Sequence, residues 1–74
     1  MYENKKISQE ILQASYEGTD VFKNSSFSET DLKIHAKYLL QQGYISDFYT
    51  DILGNFYVGD LTAAGLNYLK ELNE

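Results

Sequence analysis

Between Lys5 and Glu17 (KKISQEILQASYE) apolar residues return at helical spacing, with Ile7, Ile11, Leu12, Ala14 and Ser15 on or beside one stripe. The predicted helix ends at Gly18, a residue suited to the left-handed turn that closes many helices. Ser28 opens a second helix over 28–42: SETD supplies an N-cap serine, acids in the first turn and, at Asp31, a shorter stand-in for the capping-box glutamate. Leu32, His35, Ala36 and Leu39 share its inner face until Gly43 stops it. The stretch between the helices, Thr19–Phe27 (TDVFKNSSF), holds few helix formers and reads as a short helical turn or a brief strand about Val21 and Phe22.

From Tyr44 the period changes. YISDFYTDILGNFYVGD is rich in aromatic and β-branched residues, and Gly54-Asn55 suits a two-residue hairpin turn. That turn would pair Leu53 with Phe56, Ile52 with Tyr57, Asp51 with Val58, Thr50 with Gly59 and Tyr49 with Asp60. Tyr49, Leu53, Phe56 and Val58 would then share one face, and Phe48, Ile52, Tyr57 and Leu61 the other. Both faces would be apolar, so one is expected to be exposed or covered by another chain. Thr62 caps a last helix, TAAGLNYLKEL. The predicted order is helix, short element, helix, hairpin, helix, in one continuous domain over 1–74. Its expected core is Ile11, Leu12, Leu32, Ala36, Leu39, Ile45, Leu61, Leu66 and Leu69.

Length makes each of those residues count, because a chain of 74 residues has a net stability of only roughly 4–11 kcal/mol. Aromatic side chains, all Tyr and Phe, are expected mainly in the core. The absence of cysteine removes disulfides and thiolate chemistry. No apolar run approaches the ~20 residues of a membrane span, and MYENKK is followed by no signal-peptide core. A whole, mature, cytoplasmic chain is the expectation.

Candidate chemistry is sparse. The single histidine, His35, lies on the apolar face beside Leu32 and Leu39 and reads as a satisfied core residue. Asp47, Asp51 and Asp60 lack a calcium-loop spacing and read as solvated surface. Gly54, Gly59 and Gly65 make no phosphate loop, since its lysine is missing. The inventory predicts no enzyme, no cofactor, no metal and no small-molecule substrate.

Binding is the remaining class. A net charge of −5 opposes a polyanionic partner, and five of the eleven acids lie beyond Ser46, where Lys70 is the only cation. Ile34 and Leu40 stand off the core stripe of the 28–42 helix. With Tyr49, Ile52, Leu53, Phe56 and Tyr57 they form the expected protein interface, for a second copy or another protein. Lys23, Lys33 and Lys37 are the candidate DNA contacts, sufficient for weak and salt-dependent binding.

The capped helix ending in Gly43-Tyr44-Ile45, the hairpin, and Leu61-Thr62-Ala63-Ala64-Gly65-Leu66-Asn67-Tyr68-Leu69 together resemble a winged helix-turn-helix domain. More narrowly, Ile7–Asn73 resembles the small YjcQ-like winged-helix proteins of bacteria and their phages, through Tyr16-Glu17-Gly18, Ser28-Glu29-Thr30-Asp31-Leu32, the GYI turn and the LTxxG helix. The resemblance implies an α+β fold of three main helices and a two-stranded wing, with a regulator-like or phage-accessory role. The family carries no established activity, and fold alone does not supply one. Such a scheme sets the 28–42 helix in the major groove, yet the first turn of that helix offers Glu29 and Asp31 and the wing three aspartates.

Overall fold

Local signals fix the helix ends in the computed structural model, which describes residues 2–23 and 25–74. The elements are α1 (Lys5–Glu17), α2 (Glu29–Gln41), β1 (Phe48–Thr50), β2 (Phe56–Val58) and α3 (Ala63–Leu72). Ser28 Oγ accepts from the Asp31 N–H at 3.1 Å to start α2, and Thr62 Oγ1 accepts from the Gly65 N–H at 3.0 Å to start α3. Gly43, at φ 79°, closes α2. Its N–H bonds the Leu40 carbonyl and that of Tyr44 the Leu39 carbonyl, both at 3.0 Å, which is the Schellman arrangement. Gly18 closes α1 in the same way, with Thr19 N–H on the Ala14 carbonyl.

The three helices and the antiparallel β1–β2 pair make an α+β fold around one core. Seven of the nine expected core residues are buried, while Leu61 and Leu66 are half-buried. Ile7, Ala14, Val21, Phe56 and Val58 complete it. Phe56 is the aromatic centre: Phe22 stacks on it at 5.0 Å and Phe48 meets it edge-on at 5.6 Å.

Residues 21–23 form a turn and not a strand, and Asn24 beside them lies outside the described residues. A turn buries Val21, whose N–H donates to the Phe56 carbonyl at 2.8 Å. Asp20 Oδ1 accepts from the Phe56 N–H at 2.8 Å. The connection thus covers the outer edge of β2, meeting main-chain groups that would otherwise be buried without partners.

The base of the hairpin is tied to α3 by the two sequence landmarks. The Thr62 hydroxyl donates to the Gly43 carbonyl at 2.6 Å, and the Thr62 N–H to the Tyr44 carbonyl at 3.1 Å. A Cβ on Gly65 would stand 1.9 Å from the Tyr44 carbonyl oxygen, so only glycine permits this approach. Tyr44 then stacks on Tyr68 at 4.6 Å.

A polar clasp joins the N-terminal segment to α2 and α3. Asn4 caps α1 through Oδ1 on the Lys6 N–H, and its own N–H donates to His35 Nε2 at 3.0 Å. His35 Nδ1–H donates to the Asp31 carbonyl at 2.8 Å, so both nitrogens of the buried ring are used. The Glu3 carboxylate accepts from Tyr68 Oη at 2.8 and 2.9 Å and from the Ser8 hydroxyl. Burial and the Glu3 hydrogen bond together push the Tyr68 pKa well above the usual tyrosine range.

Leu39 is fully buried in the core. Leu39→Ala is expected to cost about 2–5 kcal/mol through lost transfer energy and a cavity. Urea unfolding measures it, and an unchanged midpoint would refute the core assignment.

Candidate functional site

The hairpin is built on a different register from the one Gly54-Asn55 suggests. Phe48 pairs with Val58, Tyr49 with Tyr57 and Thr50 with Phe56. The same register continues to the base, where Ile45 bridges Leu61, and to the tip, where the Asp51 N–H bonds the Asn55 carbonyl at 3.0 Å. The loop is therefore Ile52-Leu53-Gly54. Its turn closes through the Gly54 N–H on the Asp51 carbonyl at 3.1 Å, with Gly54 at φ 85°.

Asp51 organises this tip. Its carboxylate accepts from the Leu53 and Asn55 N–H groups, each at 2.9 Å, and from Asn55 Nδ2 at 3.1 Å. Desolvation opposes ionisation, but the hydrogen bonds from Asn55, Leu53 and Gly54 outweigh it and hold the carboxyl below the usual aspartate range. Asp51 is thus a structural group, not merely the solvated acid expected. The signal that could have found it was Asp at the first and Gly at the fourth position of a turn, with glycine in the left-handed position of a three-residue hairpin loop.

The register sorts the expected interface residues. Phe56, 1% exposed, is a core residue and leaves the candidate surface. Its strand neighbours show why: Phe48, Phe56 and Val58 turn inward while Thr50, paired with Phe56, is exposed at the strand end, so the sheet has one apolar face and not two. Ile52 and Leu53 leave the sheet altogether and stand at the tip, Ile52 fully exposed and Leu53 81% exposed. Outward on the strands are exposed Tyr49 and half-buried Tyr57, whose rings lie 5.7 Å apart. Exposed Asp47 precedes them at the base.

A second exposed surface lies on α2, where Ile34 (46%) and Leu40 (37%) share the outer face with Lys33 and Lys37. Lys33 Nζ stands 5.9 Å from the centre of the Phe22 ring, which in turn stacks on Phe56, so the basic end of this face borders the hairpin. Lys23 is exposed and lines a shallow groove with Asn55 and Tyr57. Among the described residues no group of His, Asp or Glu is arranged to hold a metal, and no helix is long and apolar enough to cross a membrane.

Comparison with known proteins yields no matching family model, no matching curated protein and no matching solved structure.

A carboxyl whose folded pKa is depressed contributes stability above its unfolded value and loses it as pH falls through the folded one. The Leu53 and Asn55 amide proton shifts are therefore expected to titrate together below about pH 4 in NMR spectra. In Asp51→Ala that step should vanish and the two amides should lose exchange protection. A wild-type tip with no titration below pH 4 would show that Asp51 does not hold it.

Proposed function

We propose that the chain is a non-catalytic winged helix-turn-helix module of the YjcQ-like kind, whose wing, the β1–β2 hairpin, docks on protein. The observation that carries this reading is the tip itself. Ile52 and Leu53 project into solvent from a loop in which Asp51 meets three donors. Exposed large side chains on a mobile loop would lose conformational freedom on binding, whereas a hydrogen-bonded loop has already lost much of it. Apolar residues presented in this way, with the Tyr49–Tyr57 pair beside them, have the composition of an interface anchor. The winged-helix reading rests on the element order, on the α2–Gly43–hairpin–α3 connection and on the Val21–Phe56 pairing at the sheet edge.

A second reading, DNA binding through α2, draws on exposed Lys33 and Lys37 with Lys23 beside the hairpin. The charge pattern weighs against it: Glu29 and Asp31 occupy the first turn of α2 and the hairpin carries Asp47, Asp51 and Asp60 but no lysine.

A photoreactive benzophenone residue in place of Leu53, with the same residue in place of exposed Lys70 as the control, tests docking in the expressing cell. Protein adducts at position 53 and none at 70 are expected. No adducts at 53 would refute the docking reading. For DNA, a duplex shift at ~50 mM salt that Lys33→Ala and Lys37→Ala abolish would establish the second reading instead.

A further inference from the structure

We infer that the hairpin's partner is a second copy of this chain, seated hairpin on α2. The inference rests on the docking reading and names its occupant. Two exposed apolar surfaces of opposite charge lie on the one molecule. The first runs from Asp47 past Tyr49 to Ile52 and Leu53. The second is the outer face of α2, where Leu40, Lys33, Lys37 and Ile34 fall within about a third of a turn at the helical repeat.

Their chemistry matches in both respects that an interface requires. Ile52 and Leu53 are large branched aliphatic side chains at the tip, and Ile34 and Leu40 are exposed aliphatic side chains on the outer face of α2. Asp47 is the acid on the outward side of β1, and Lys33 and Lys37 are the cations between Ile34 and Leu40. The overall charge of −5 would make two copies repel at long range. The charge is unevenly distributed, however: residues 47–74 hold five acids and one lysine, whereas residues 1–46 hold six acids and five lysines. Hairpin against α2 therefore joins the acidic region of one copy to the lysines of the other, and hairpin against hairpin would not.

Closure follows from adjacency. Lys33 lies over Phe22, Phe22 stacks on Phe56, and Phe56 begins β2, so the two surfaces occupy neighbouring elements. Two copies can then exchange hairpins reciprocally, the hairpin of each on α2 of the other, in a closed two-fold arrangement.

Sedimentation equilibrium on the full chain at concentrations up to ~100 μM tests this, because a dimer is governed by mass action. The wild-type chain is expected to reach the dimer mass. Asp47→Lys alone, and Lys33→Glu with Lys37→Glu, should each weaken dimerisation by about tenfold or more, because like charges then face one another. Mixed in equal amounts, the two variants should recover a one-to-one heterodimer, since each junction again joins opposite charges. Leu53→Ser, at a tip outside the core, should weaken the dimer without altering the circular dichroism, which separates docking from folding. A monomeric wild-type chain overturns the inference, as does a dimer that survives both charge reversals or is not restored by mixing. If the wild-type chain is monomeric yet position 53 still gives protein adducts, only the self-association falls; if adducts are absent too, the docking reading falls with it.

Discussion

The Asp51 carboxylate, by capturing the Leu53 and Asn55 main chain, sets the hairpin register on which the rest of the structure depends. Side chains alternate across a strand, so a slip by an odd number of residues exchanges the buried and exposed sets. With the observed pairing, Phe48, Phe56 and Val58 turn inward, and Tyr49 and Tyr57 turn outward. In a chain of 74 residues the buried position of Phe56 is a large fraction of the available core. The same turn expels Ile52 and Leu53, which have no place in that core.

The hairpin is held at one edge and at its base, and a separate polar clasp braces the helices around it. Asp20 and Val21 satisfy the main chain of Phe56 at one edge. Thr62 and Gly65 fasten its base to the start of α3, where the Tyr44 carbonyl occupies the space a side chain would need. Glu3, Ser8 and Tyr68, with Asn4 and His35, tie the N-terminal segment across α2 and α3. These polar groups act mainly by preventing buried donors and acceptors from going unpaired, a cost that exceeds the small net gain of each hydrogen bond.

Much of this was legible in the residues. Ser28, Thr62, Gly18 and Gly43 marked helix ends because capping chemistry is local, and the 3.6-residue stripe found Leu32, Ala36 and Leu39. The hairpin register was not, because Gly54-Asn55 and Asp51-Ile52-Leu53-Gly54 are overlapping turn signals, and the choice between them depends on whether Phe56 can enter the core. The two-faced apolar sheet inferred from the first signal was an artefact of that choice. Asp20, Glu3 and Asn4 were illegible for another reason: their partners lie 31 to 65 residues away, as in Asn4–His35, Asp20–Phe56 and Glu3–Tyr68. Of the expected interface, the exposed positions on α2 and at the tip were readable as apolar residues off the core stripe, while Phe56 was not separable from them without the register.

Cross-strand nuclear Overhauser effects test that register most directly. In an antiparallel pair the α-protons approach closely at the pairs that do not exchange hydrogen bonds. With Asp51 and Asn55 bonded at the tip, these pairs are Thr50 with Phe56 and Phe48 with Val58. Strong α-proton contacts between those two pairs are predicted. Contacts of Ile52 with Tyr57 and of Thr50 with Gly59 in their place, the non-hydrogen-bonded pairs of a Gly54-Asn55 hairpin, would contradict the account.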